Sequence, residues 1–201
     1  MRRVAQQKSS FKRLRLVVVG SCLACLTVSV ACAQEKNQEL KKATDWLKST
    51  MEKYGEYEDG SGVFKISNVK FDRCSMQWME SRWQQGRDPG EKFLIETTYR
   101  VQLGDLNPNG YDGVFKVEGI DGANSGLDFV RIRNPGGEQK IQAEEHIYFT
   151  DLKGTKREQK GEGRTRSEGM ITVPIKNEVK SKFIETLDRA VKLCGGTPKN
   201  E

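Results

Sequence analysis

Few residues of this chain have the types and spacing that chemistry needs. The densest group is Asp105-Leu106-Asn107-Pro108-Asn109-Gly110-Tyr111-Asp112. Oxygen side chains at alternate positions closed by a glycine, D-x-[DN]-x-[DN]-G, suit a hard cation such as calcium, which needs several oxygens brought round in a tight turn. Asp105, Asn107, Asn109 and Asp112 are the candidate ligands.

The run resembles the first half of an EF-hand-type calcium loop and then departs from it. Lys116 stands where the bidentate acid belongs, and Asp112 replaces an apolar residue. One or two carboxylates hold calcium poorly, whereas Asn, Pro, Asn and Gly make a strand-to-strand turn without any ion. The expectation is a turn, with no metal and no cofactor.

His146 is the single histidine, which excludes multi-histidine metal sites and leaves one candidate general base. On a strand, Glu144 shares its face and Glu145 does not. There is no G-x-S-x-G elbow and no second histidine to complete a triad, so a solvent-facing strand histidine and a non-enzymatic protein are expected. Gly161, Gly163 and Gly169 are followed by Arg164 to Arg166 rather than by a phosphate-loop pattern. The run 153–168 carries Lys153, Lys156, Arg157, Lys160, Arg164 and Arg166 against Glu158, Glu162 and Glu168. It contains no large apolar residue and reads as a mobile basic loop, solvated or touching anionic headgroups or an envelope polymer.

Trp78, Phe93 and Tyr99, with Trp83, offer two readings. They could line a pocket for a small apolar ligand or lipid, or they could fill the space under a single sheet. Core packing is the preferred reading.

Compartment and charge follow from the first 33 residues. Arg2, Arg3, Lys8, Lys12, Arg13 and Arg15 precede an apolar run from Leu16 to Val30, and Ala31-Cys32-Ala33 supplies a small-x-small cleavage site. This is a secretory signal layout, with a mature chain starting at Gln34. Cys32 is a candidate for lipidation, and an uncleaved signal would act as an anchor; membrane attachment is expected only by one of those routes. The leader holds six of the 34 basic residues and none of the 28 acidic ones, leaving 28 of each sign. Residues 34–201 are therefore neutral, and no nucleic acid is expected as a partner. Cys22, Cys25 and Cys32 leave with the leader, so Cys74 and Cys194 remain as an exported pair, read as a disulfide.

The elements that must position these residues come from periodicity. Residues 35–54 form an amphipathic helix on Leu40, Ala43, Leu47, Met51 and Tyr54, ended by Gly55, and 56–62 follow as an acidic, glycine-containing loop. Val69 to Trp78 reads as one buried strand, with a bulge at Asp72 or Arg73 to restore its parity. Phe93 to Leu103 alternates cleanly, one face apolar and one solvated, as in an antiparallel sheet. Shorter strands follow at 114–120, 127–133, 140–149 and 170–175, and Pro174 places the last at a sheet edge or with its missing donor facing away from a neighbour. Asn177 caps a last helix whose stripe of Val179, Phe183, Leu187, Ala190, Val191 and Cys194 faces the core.

The result is one α+β domain over 34–201: an N-terminal helix, an antiparallel β-meander of about six strands, and a C-terminal helix packed on the sheet. The layout resembles pleckstrin-homology-like barrels, which end in a helix plugging an open end. That resemblance covers layout alone and implies no function. By elimination, the functional expectation is an exported periplasmic or envelope domain that binds a protein or envelope partner. A carrier or sensor of a small apolar ligand, held between sheet and C-terminal helix, is the alternative.

Overall fold

Alternation builds the main body of this protein, and one run of helical periodicity closes each end. The structure, a computed structural model, describes residues 34–59, 62–86, 91–106, 114–116, 127–150, 156–158 and 163–196. Contacts group Leu40–Glu201 into one unit and Met1–Glu39 into another. No helix among the described residues is long and apolar enough to cross a membrane. Cys32 and the rest of the leader lie outside the described residues.

Helix α1 (34–54) buries Ala43, Leu47 and Met51. Four strands follow as consecutive antiparallel hairpins: β1 (Glu56–Asp59), β2 (Gly62–Asp72), β3 (Ser75–Gln85) and β4 (Lys92–Gln102). The chain then leaves this sheet for β5 (Val114–Lys116) and β6 (Leu127–Arg133). It returns as β7 (Ile141–Thr150), which pairs with β4, and β8 (Lys156–Glu158) and β9 (Arg164–Glu168) both pair with β7. Finally β10 (Met170–Lys176) joins β6 and β5 in a second, three-stranded sheet, and α2 (Asn177–Leu193) ends the fold.

The α+β arrangement expected from sequence is present, with the terminal helix on the core. The barrel is not. The large sheet runs β1-β2-β3-β4-β7-β8 and stays open, because β5 and β6 are drawn off to pair with β10 instead of continuing the meander. β10 is an edge of its sheet, where Pro174 can lack a donor.

Three local expectations change. Val69 to Trp78 is a hairpin, with Asp72 paired to Ser75 and Phe71 to Met76 across a two-residue turn at Arg73 and Cys74. The turn, with Arg73 at φ 51°, explains the parity break. A bulge exists, but it lies between Ser67 and Lys70, where Asn68 has φ 54° and lets Val69 rejoin the core face. The acidic stretch after α1 is a strand, because Tyr57 stacks on Phe64 with ring centroids 4.5 Å apart and meets Phe129 edge-on at 5.4 Å. Within the basic run, Lys156–Glu158 and Arg164–Glu168 are strands. The main chain of β7 needs partners along its free edge, and polar segments can supply them.

One core cluster joins α1, both sheets and α2. Leu47, Met51, Trp78, Leu103, Ile132, Ile141, Ile175, Phe183 and Leu187 are all at most 1% exposed. Cys74 and Cys194 are bonded, with Cα atoms 5.6 Å apart and a sequence separation of 120. A loop of that length lends roughly 4 to 5 kcal/mol by chain entropy. The bond ties the β2–β3 turn to the C-cap of α2, and the Leu103 amide donates to the Cys74 carbonyl at 2.8 Å in the same place.

The ends of α2 are set by different means. Lys176, not Asn177, is the N-cap and offers no side-chain bond. Asn177 and Lys180 turn instead to the buried carboxylate of Asp128, with Lys180 Nζ at 2.9 Å, so β6 supplies the negative group that a helix N-terminus favours. At the other end Gly195, at φ 89°, donates to the Lys192 carbonyl and Gly196 to that of Val191, the paired bonds of a Schellman stop.

Candidate functional site

The long strands β3, β4 and β7 have two faces, and side-chain parity assigns every polar residue to one of them. On the inner face of β3 stand Met76, Trp78, Glu80, Arg82 and Gln84. Their cross-strand partners on β4 are Val101, Tyr99, Thr97, Ile95 and Phe93, and the next row on β7 includes Ala143, Glu145, Ile147 and Phe149. Arg164, Arg166 and Glu168 complete the row on β9.

This inner face is apolar toward the disulfide and polar at its middle. Trp78 is 1% exposed and stacks on Tyr99 at 5.1 Å. Beyond them, Arg166 Nη1 donates to Glu145 Oε2 at 2.9 Å, its Nε donates to Glu168, and it lies within hydrogen-bonding reach of the Tyr99 hydroxyl. Glu80 sits opposite Thr97 and Ile66, with the charge of Glu168 nearby. Burial first, and then Glu168, push its carboxyl up to about 7, against the opposing pull of Arg82 and Arg166. Burial likewise raises the Tyr99 hydroxyl, and the two glutamates hold the Arg166 guanidinium firmly charged.

The outer face is solvated and carries a different pattern. A ladder runs from Gln77 through Arg100 to Glu144 and His146: Arg100 Nε donates to Gln77 at 3.2 Å, Arg100 Nη1 to Glu144 at 3.2 Å, and His146 Nε2 lies 3.4 Å from Glu144. The hydrogen bond with His146 is the larger cause, and Arg100 the second, of a Glu144 carboxyl held below its ordinary value. As parity required, Glu144 and not Glu145 accompanies His146. Toward the far end of the strands, Val63, Trp83, Leu94 and Tyr148 form one cross-strand row. Leu94 is buried to 5% between its neighbours, and Trp83 is 37% exposed.

Of the three expected pocket residues two come together and the third stands apart. Trp78 and Tyr99 are stacked in the core, whereas Phe93 lies six residues along β4, roughly 20 Å away, against Phe149. Trp83 is on the opposite face from all three, which its odd separation from Trp78 already implied. A surface depression of about 400 Å³ on α1 is lined by Asp45, Lys48, Ser49, Glu52 and Lys53, which suits no apolar ligand. Of the calcium candidates, Asp105 forms an ion pair with Lys140, its Oδ1 3.6 Å from Nζ, and its carbonyl accepts from Asn134 Nδ2. Asn107, Asn109 and Asp112 lie outside the described residues. No cluster of three or more metal-ligating side chains occurs among the described residues.

Glu80 and Arg166 were missed in the sequence as site residues, although Glu80 shares the parity of Met76 and Trp78. No protein-family model, no characterised protein and no solved structure matches this chain.

Proposed function

We propose that this chain is an exported, disulfide-stapled binding domain, and that the outer face of its large sheet docks a protein or envelope partner. The observation that carries the reading is Trp83, 37% exposed in an ordered row with Leu94 and Tyr148 and bordered by the Arg100–Glu144–His146 ladder. A rigid aromatic anchor beside satisfied polar groups is how binding hot spots are built. Export is supported by the leader and by a bond that persists in oxidising compartments.

Two measurements test it. The intact mass of the protein made with its own leader should begin at Gln34, or at an acylated Cys32, and be two hydrogens short of the reduced form; a retained leader with free thiols sinks the export reading. A photo-crosslinking residue placed at Trp83 should capture one partner, and the same residue at Lys70, on the outer face near the disulfide, should not. Equal capture at both positions, or none at Trp83, rejects the docking face.

A further inference from the structure

We propose, on the basis of the export reading with its cut before Gln34, that Gln34 is a modification site: as the first residue of the released chain it closes into pyroglutamate and blocks its own amine. The fold favours a new end at this place. Contacts group Leu40–Glu201 into one unit and leave Met1–Glu39 in another, and among the described residues the core cluster takes in no side chain before Leu40. Residues 34–38 are all exposed. A cut before Gln34 therefore spares the packed unit and leaves the new end on a solvated turn of α1, where the Gln34 side chain can fold back on its own nitrogen.

The reaction is internal to one residue. The α-amine attacks the side-chain amide carbon, the N–Cδ bond forms, the Cδ–Nε2 bond breaks, and Nε2 leaves as ammonia with a proton from the amine. A five-membered lactam remains, and no oxidant or co-reactant is consumed. Holding amine and amide in one residue gives the high effective concentration of an intramolecular step. The nucleophile is the uncharged amine, which is accessible at neutral pH because α-amino groups titrate at about 8.

The helix tolerates the product and gains from it. The first four main-chain N–H groups of a helix have no intrahelical acceptor, so a lactam N–H at Gln34 costs no hydrogen bond. Loss of the ammonium removes a cation from the end of the helix that favours negative charge. It also removes the group that aminopeptidases recognise, on a turn that is exposed from residue 34 to residue 38.

The mature protein, made from the full chain with its own leader and held at neutral pH, tests this by amine labelling before digestion. The N-terminal peptide should begin at position 34, escape the label and be one ammonia lighter than its linear form. Pyroglutamyl aminopeptidase should remove its first residue, and a general aminopeptidase should remove nothing. Gln34→Ala should take the label and be trimmed by the general aminopeptidase toward Leu40. A peptide that begins at Gln34 and still takes the label after days at neutral pH overturns the proposal and leaves export standing, as does a chain that begins at acylated Cys32. A retained leader sinks both. A Gln34→Ala protein that resists trimming overturns the protective role, and if that variant keeps its leader the wild-type peptide alone decides the cyclisation.

Discussion

Trp78 and Trp83 stand five residues apart on one strand, and the molecule treats them in opposite ways. Trp78 faces inward near the disulfide and is 1% exposed; Trp83 faces outward at the far end and is 37% exposed. Around the first, the β2–β3 turn, the residues after β4 and the C-cap of α2 converge, and even backbone has no slack. A side chain at Gly104 would come within 2.7 Å of the Cys194 carbonyl. Around the second, charged and aromatic side chains meet in cross-strand rows. The fold is tied at the stapled end, and the proposed docking surface lies at the far end.

The largest effect that separates the two ends is truncation in the core. Trp78→Ala should cost about 3 to 5 kcal/mol in denaturant unfolding, and Phe93→Ala, at the far end, well under half of that. Comparable losses would mean that the far end is core as well. Next comes the staple. Cys74→Ala with Cys194→Ala should cost about 2 to 5 kcal/mol, yet α2 should remain docked, because Phe183, Leu187, Ala190 and Val191 are fully buried without help from the bond. Loss of helical signal under native conditions would show that the bond, not the stripe, positions α2.

Between the ends lies Glu80, and its effect depends on pH. Its folded carboxyl titrates at about 7 against an ordinary 4.5, so the folded state holds the extra proton between those values. The contribution of Glu80 to stability is therefore greatest below about 4.5, falls as pH rises to about 7, and stays low above it. Glu80→Gln should remove this slope and, at pH 8, raise stability by about 1 to 3 kcal/mol. A variant less stable than wild type at pH 8 would show that Glu80 acts there as an anion paired with Arg82 or Arg166.

How far the sequence foretold these regions depends on whether each signal was local. The alternation of β4 and the stripe of α2 concern neighbours in sequence, and both elements formed where they were read, with the cap of α2 at Lys176 instead of Asn177 and β4 ending at Gln102. Cys74 and Cys194 were legible because removing the leader leaves only two cysteines. The hairpin at Asp72–Ser75 was hidden, since Arg73 takes a left-handed backbone without the glycine or asparagine that usually announces it. Sheet membership was hidden for a deeper reason. β4 prefers β7 to β5, and β6 prefers β10, because of long-range burial of Val130, Ile132, Ile171 and Val173, and no local pattern records such pairings. The inner cluster was half legible: parity with Met76 and Trp78 puts Glu80 indoors, but its neighbours Arg166 and Glu168 come from a stretch whose polarity suggested no strand at all.

The smallest stability effect carries the most functional information. Trp83→Ala removes a ring that is already partly solvated, and the core gives up no cavity, so unfolding should change by less than about 1 kcal/mol. The same ring, if it anchors a partner, is where interface energy concentrates, and its truncation should weaken binding by more than about tenfold. The two readouts must therefore diverge at this position, as they cannot at Trp78, where any loss of binding follows from loss of fold. A Trp83→Ala protein that is both stable and fully competent to bind would return the outer face to ordinary surface. A protein destabilised as much as Trp78→Ala would instead make Leu94, Trp83 and Tyr148 a second, smaller core, with the docking surface to be sought elsewhere.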